Sequence, residues 1–124
     1  MLKNQELFLT EKIKEIKISL QSQEPDMYEL IGSVRDLFSS IYNTNIIASN
    51  KIIVDLWDVL LNVFLESKYY DNRFDAIFAM SDIHLYAKRQ NIDLNMHLLK
   101  EWINKNELSN ETEEILECVN DILT

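Results

Sequence analysis

The side chains that could hold a metal ion form one short row in this sequence. Asp93, His97 and Glu101 recur at intervals of four residues, which would place them on one face of a helix. Carboxylates and an imidazole so arranged could bind a divalent metal. However, the apolar residues of the same segment fall on the opposite face, which leaves the row in water. Asp93 is also a good N-cap. The pattern favours a solvated helix face, with a surface metal site as the alternative, and we expect no metal and no cofactor.

The other candidates for catalysis are one histidine and the single cysteine. His84 lies at the edge of an apolar helical pattern, which indicates a partly buried structural histidine, because no nucleophile is placed near it by the sequence. The sequence neighbours of Cys118 on its own helix are acidic, whereas a reactive thiolate requires a nearby cation. A single glycine also excludes a phosphate-binding loop, a dinucleotide fingerprint and a nucleophile elbow. We therefore expect a protein that is not an enzyme.

The charge of the chain restricts its partners. The formal net charge is -9 and the isoelectric point is near 4.6. Such a surface repels the phosphates of nucleic acids and anionic lipid headgroups, so we expect no direct binding to nucleic acid or membrane. The longest mainly apolar stretch, residues 52–65, is too short and too charged to span a bilayer. One cysteine and the absence of an apolar leader at the N-terminus suit the reducing cytoplasm.

Six segments of this chain place apolar residues at the helical period, and only one glycine and one proline occur in 124 residues. Sheets and barrels need these residues in their turns, so their scarcity disfavours β architectures. We predict an all-α, single-domain bundle (residues 1–124) of five to six amphipathic helices, with stacked helical hairpins as one possible arrangement. The predicted helices cover about 2–21, 25–42, 49–68 and 71–89, then a short helix from 92–93 and a last helix from 109–110.

Several residues carry specific structural expectations. Pro25 fits the first turn of the second helix, because its fixed φ suits that position. Gly32 costs about 1 kcal/mol in a helix relative to alanine, which we attribute to close packing by another helix. Trp57 lies in the widest apolar arc, so we place the third helix at the centre of the fold. Asp71 or Asn72 should cap the fourth helix. The main buried face of that helix should comprise Phe74, Ile77, Phe78, Ser81 and Leu85.

The distribution of acidic residues is the feature that points most directly to a function. Four residues of the fourth helix fall within about 60° of a helical wheel, and three acids line the polar strip of the third helix. If these helices form an antiparallel hairpin across Tyr69-Tyr70, both strips could border one surface. The candidate partner-binding residues are then Asp55, Asp58, Glu66, Tyr69, Tyr70, Asp71, Asp75, Asp82 and Tyr86. The alternative is that these acids are only the solvated faces of an acidic protein.

These observations favour a non-enzymatic protein-binding module, and more specifically an acidic inhibitor of a basic protein such as a nuclease toxin. Electrostatic complementarity of that kind speeds association and selects partners. In size and charge the chain resembles small helical immunity proteins and antitoxins, although no motif identifies a family. The alternative is a structural or regulatory subunit that forms homo-oligomers through its first helix, where Leu7, Phe8 and Ile18 lie off the main apolar stripe.

Overall fold

The six apolar segments fold as six α-helices in the computed structural model, which describes residues 4–39, 48–106 and 113–124. No strand occurs in these residues, which confirms the all-α prediction. The helices are α1 (Asn4–Gln21), α2 (Tyr28–Ser39), α3 (Asn50–Glu66), α4 (Tyr70–Gln90), α5 (His97–Asn106) and α6 (Glu113–Leu123). The predicted end of the second helix at Tyr42 and the predicted caps Ser109 and Asn110 lie outside the described residues.

The third and fourth helices form an antiparallel hairpin, which is the condition stated above for a shared acidic surface. The Ser49 side chain accepts the N–H of Ile52 at 3.3 Å and caps α3. Three residues then lead into α4. The Arg73 Nε–H donates to the carbonyl oxygen of Phe64 at 3.1 Å, and the rings of Trp57 and His84 lie 6.5 Å apart. Early residues of α4 therefore meet late residues of α3, so the two helices run in opposite directions.

Helix α4 is surrounded by neighbours, because it packs against α2, α3 and α6. Its buried side chains include Ala76, Ala79 and Ala87, whose small size permits close approach of the other helices. The predicted buried face is only partly right. Ile77 is buried, whereas Leu85 is 56% exposed. Burial from three sides does not follow a single stripe, which is why the periodic pattern failed to identify this face.

The core lies inside a ring of four helices, in which α1 contacts α3, α3 contacts α4, α4 contacts α2, and α2 contacts α1. Trp57 is fully buried, and its Nε1–H donates to the carbonyl oxygen of Asn95 at 3.0 Å. The predicted burial of Trp57 is thereby confirmed, but the helix that packs against the most neighbours is α4 rather than α3. Helix α6 packs against α4 and α5 outside the ring. The largest fully buried side chains include Trp57, Phe64, Leu9, Ile16, Ile77 and Met80.

Three predicted helix starts are wrong. Helix α2 begins at Tyr28 rather than Pro25, and the Asp26 carboxylate accepts the Tyr28 N–H at 3.0 Å. Helix α5 begins at His97, where the Asn95 side chain accepts the His97 N–H at 3.0 Å. In both cases the side-chain oxygen of the residue two positions earlier accepts this N–H. The local hydrogen bond favours a turn at that point, so the helix begins later than predicted. Helix α4 begins at Tyr70 after Tyr69, so Asp71 and Asn72 lie inside it and neither is its cap.

Two side-chain amides connect the α1–α2 link to the α3–α4 hairpin. Asn72 is only 1% exposed. Its side chain accepts the Met27 N–H at 3.0 Å and donates to the Glu24 carbonyl oxygen at 2.7 Å. The Gln23 side chain donates to the Glu66 carbonyl oxygen at 3.3 Å and accepts the Lys68 N–H at 3.1 Å. We call this set of four hydrogen bonds the amide joint. It holds the start of α2 against the start of α4.

Replacement of Asn72 tests the amide joint. Asn72→Ala should lower the free energy of unfolding by about 2–4 kcal/mol, because it leaves the buried Met27 N–H without an acceptor and removes a second bond. Gln23→Ala is the matched control, and it should cost less than about 1 kcal/mol, since the Gln23 bonds are exposed and water can replace them. Urea unfolding followed by circular dichroism measures both. Equal losses in the two variants would contradict the assignment.

Candidate functional site

The acidic residues of α4 lie along its contact with α2. Asp82 Oδ2 lies 3.3 Å from Arg35 Nε, in an ion pair between the two helices. The Tyr86 ring packs edge-on against Phe38, with centroids 5.4 Å apart. Asp75 is half-buried, and Asp71 is exposed in the first turn. The structure therefore brings three of the four predicted residues of α4, Asp75, Asp82 and Tyr86, beside α2, where Arg35 offsets part of the charge of the two carboxylates.

The acidic residues of α3 have different neighbours. Asp55 pairs with Lys51 of its own helix at 2.7 Å, and Glu66 is exposed. Burial raises the pKa of Asp58, and the nearby Asp55 carboxylate raises it further. The charges that shift the pKa of Asp75 come instead from α4 itself, from Arg35 of α2 and from the residues just before α2. The pKa values of Asp58 and Asp75 are therefore shifted by different neighbouring charges.

The two tyrosines at the corner of the α3–α4 hairpin differ in their exposure to solvent. Tyr69 is half-buried, and the ammonium group of Lys68 lies 5.4 Å from its ring centroid. Tyr70 is exposed, and its ring lies 6.0 Å from that of Phe74. Both tyrosines therefore stabilise the corner that leads into α4. Tyr70 also presents part of its ring to solvent, close in the chain to Asp71.

A groove of about 300 Å³ lies between α2 and α4. Its lining residues are Tyr28, Glu29, Ile31, Gly32, Ser33, Arg35, Asp36 and Asp75. An ideal Cβ at Gly32 would meet no atom within 4 Å, so the prediction of close helix packing there is wrong. The missing side chain instead leaves the groove open. Tyr28 is 68% exposed and stands at the start of α2. Sequence reasoning missed this tyrosine as a site residue, although it lies off the apolar face of its helix.

Carboxylates are concentrated around this groove. Glu29, Asp36 and Asp75 line it, and Asp26 and Asp71 lie close enough to affect Asp75. Burial raises the pKa of Asp75, and the charges of Asp71 and Asp26 raise it further, whereas Arg35 acts in the opposite direction. The raised pKa means that ionised Asp75 opposes folding at neutral pH. A cationic group placed in the groove would stabilise this carboxylate.

The residues with catalytic potential lie elsewhere. His97 Nε2 is 3.1 Å from Glu101 Oε1 on the surface of α5, but Asp93 precedes that helix, so the proposed metal row is not one helix face. The described residues contain no group of three or more His, Cys, Asp or Glu side chains that could hold a metal ion. Burial lowers the pKa of His84, and Lys88 lowers it further. Burial raises the pKa of the Cys118 thiol, and the charge of Asp121 raises it further.

Comparisons with protein-family models, with characterised proteins and with solved structures found no match. In the described part of the chain, none of the helices has both the length and the apolar character needed to cross a lipid bilayer. Any functional assignment therefore depends on the chemistry of the surface itself. The groove between α2 and α4 combines an exposed tyrosine, several carboxylates and a concave shape.

The open space at Gly32 leads to a stability prediction. Gly32→Ala should raise the free energy of unfolding by about 0.5–1 kcal/mol, because alanine restricts the unfolded chain and its methyl group meets nothing in the folded one. Urea unfolding of the two proteins at neutral pH measures the difference. A destabilised variant would show that α2 is packed too closely at this position to accept a side chain.

The charge of Asp75 leads to a pH-dependent prediction. Asp75→Asn should unfold at a higher temperature than wild type at pH 7, because the influences that raise the pKa of Asp75 outweigh the attraction to Arg35. At about pH 3 both the folded and the unfolded wild-type chains carry a protonated Asp75, so the difference should disappear. Calorimetry at the two pH values measures it. Asp36→Asn, which removes an exposed carboxylate of the same groove, is the control. A lower unfolding temperature for Asp75→Asn at pH 7 would show that the attraction to Arg35 outweighs the cost of burying the charge.

Proposed function

We propose that this chain is a non-enzymatic protein-binding module of the cytoplasm, and that it acts as an acidic inhibitor in the manner of an immunity protein or antitoxin. Its partner is a basic protein that acts on nucleic acid, such as a nuclease toxin. The chain binds the basic surface of that protein and blocks its access to nucleic acid. The observation that carries the proposal is the acidic groove between α2 and α4 with an exposed tyrosine at its rim.

The groove combines the two features that a protein interface requires. Tyr28 offers a large side chain with an apolar body and a hydroxyl group, and tyrosine is enriched among the residues that contribute most to binding energy. Glu29 and Asp36 are exposed beside it. Carboxylates in this position can accept hydrogen bonds from lysine and arginine side chains. The groove therefore supports an apolar anchor surrounded by charged contacts.

The total charge of the chain supports the same class of partner. Proteins that bind nucleic acid present lysine and arginine to phosphates, and those side chains are equally attracted to a protein with a net charge of -9. The attraction acts mainly on the rate of association and on the choice of partner. Electrostatic attraction requires no chemical step. It therefore suits a protein that inhibits its partner by covering the surface that binds nucleic acid.

Asp75 connects the charge of the groove to binding energy. In the free chain its ionised form is disfavoured by burial and by Asp71 and Asp26. A partner cation in the groove would favour that ionised form, so binding would release the cost that the free chain carries. Arg35 is already engaged, because it pairs with Asp82 and its guanidinium lies 5.2 Å from the ring centroid of Phe78. The exposed carboxylates of α2 remain for the partner.

Affinity capture from the native host with matched variants is the experiment that tests the proposal. The groove variant Tyr28→Ala with Asp36→Lys should lose a basic protein that wild type retains. The control Glu117→Lys with Asp121→Lys reverses two exposed charges on α6 and should still retain it. If every captured protein binds the groove variant and wild type equally, the groove is not the interface.

Once the partner is purified, association kinetics give a quantitative prediction. Glu29→Lys with Asp36→Lys should slow association at low salt by roughly tenfold or more, because it reverses two exposed carboxylates of the groove that attract the partner. The effect should shrink as salt rises, since the Debye length is about 8 Å at physiological ionic strength. The α6 double variant is the control. If only the reversal of Asp55, Asp58 and Glu66 slows association, the interface lies on α3 instead.

A further inference from the structure

The outward side of α1 carries an ordered row of residues that the proposed function does not use. Helix α1 buries Leu9, Ile13 and Ile16 against the fold. Directly opposite, at spacings of four, three and four residues, lies the outer stripe of α1, which consists of Leu7, Glu11, Lys14 and Ile18. Leu7 is 46% exposed and Ile18 is 64% exposed. These two apolar residues thus lie on one line in solvent, about 16 Å apart along the helix.

This spacing is that of a coiled-coil seam. Residues that alternate at intervals of four and three occupy the a and d positions, and they face a partner helix when two helices pack along their length. In the antiparallel arrangement, the outer stripe matches itself when a two-fold axis passes between Lys12 and Ile13. Leu7 of one copy then lies opposite Ile18 of the other, and Glu11 lies opposite Lys14.

The charges on the stripe select this arrangement. An antiparallel pair places each Glu11 against a Lys14, so two opposite-charge contacts lie between two apolar layers. A parallel pair in register would place Glu11 against Glu11 and Lys14 against Lys14, which is repulsive. Within the described residues neither Glu11 nor Lys14 forms an ion pair of its own, whereas the adjacent Lys12 and Glu15 pair at 3.2 Å. The charges needed for the contact are therefore available.

We infer that two copies of this chain pair through the outer stripes of α1, antiparallel about a two-fold axis. The interface is isologous, so each copy contributes the same four residues. Because a single pair of short helices buries less surface than a standard protein interface, the dimer is weak and depends on concentration. The groove between α2 and α4 is lined by residues of those two helices, so the outer stripe contributes no side chain to it.

A charge-swap experiment on the full chain tests the pairing. Sedimentation of wild type from about 10 µM to about 1 mM in low salt should show a monomer–dimer equilibrium. Glu11→Lys and Lys14→Glu should each weaken the dimer by roughly tenfold or more, because each places like charges opposite one another. The double variant restores opposite charges in every contact and should return the affinity to within about threefold of wild type.

The single variants change the net charge in opposite directions, so a general charge effect cannot weaken both. Lys100→Glu, an exposed replacement on α5 with the same charge change as Lys14→Glu, should leave the equilibrium unchanged. Circular dichroism of each variant confirms that α1 remains folded. A wild-type chain that stays monomeric at about 1 mM in low salt, or a double variant no tighter than the singles, would overturn the inference.

Disulfide trapping tests the orientation of the two helices. In chains that also carry Cys118→Ala, Leu7→Cys mixed with Ile18→Cys should form a mixed disulfide much faster than either variant crosslinks to itself. Self-crosslinking of Leu7→Cys at an equal rate would exclude the antiparallel register. Tyr28→Ala should leave the dimer intact, and Lys14→Glu should leave capture by the groove intact, so the failure of one proposal is distinguishable from the failure of the other.

Discussion

The amide joint is the constraint on which the arrangement of the helices depends. Asn72 is buried at the start of α4, and burial of an amide is favourable only when its hydrogen bonds are made. Its partners, the Met27 N–H and the Glu24 carbonyl, belong to the link before α2. Gln23 makes the reciprocal connection to the end of α3. Because both links are held together, α2 must run beside α4, and the groove between these helices is a consequence.

The groove concentrates features that work against stability. Gly32 gives up helix propensity although space exists for a side chain, and Asp75 is held in a charged state that its surroundings disfavour. The rest of the fold compensates through the packing of α3 and α4 around Trp57 and Phe64. Local costs of this kind often accompany functional surfaces, where selection acts on binding rather than on folding. The groove combines the disfavoured charge of Asp75 with the open space at Gly32 and the exposed ring of Tyr28.

The two proposals use different kinds of electrostatics on different surfaces. Around the groove the charges are mostly of one sign, so the complementary charge must come from another protein. On the outer stripe of α1 a carboxylate and an ammonium group alternate, so a second copy of the same chain supplies the complement. The net charge of -9 opposes dimer formation at long range, whereas the local pairs favour it. This balance is a further reason why the dimer is weak.

From the sequence alone we could predict the helical class, the burial of Trp57 and the acidic character of the surface. These follow from local periodicity and composition, which act along each helix separately. The pairing of the helices, including the α3–α4 hairpin, came from the structure. The structure also showed that Asn72 is a buried link rather than a cap, that Leu85 is exposed and that Gly32 borders open space. It placed Asp75 and Asp82 beside Arg35 of α2. The physical reason is that contacts between residues far apart in the chain depend on the packing of whole helices, and a periodic pattern carries no information about the neighbour that a helix will find.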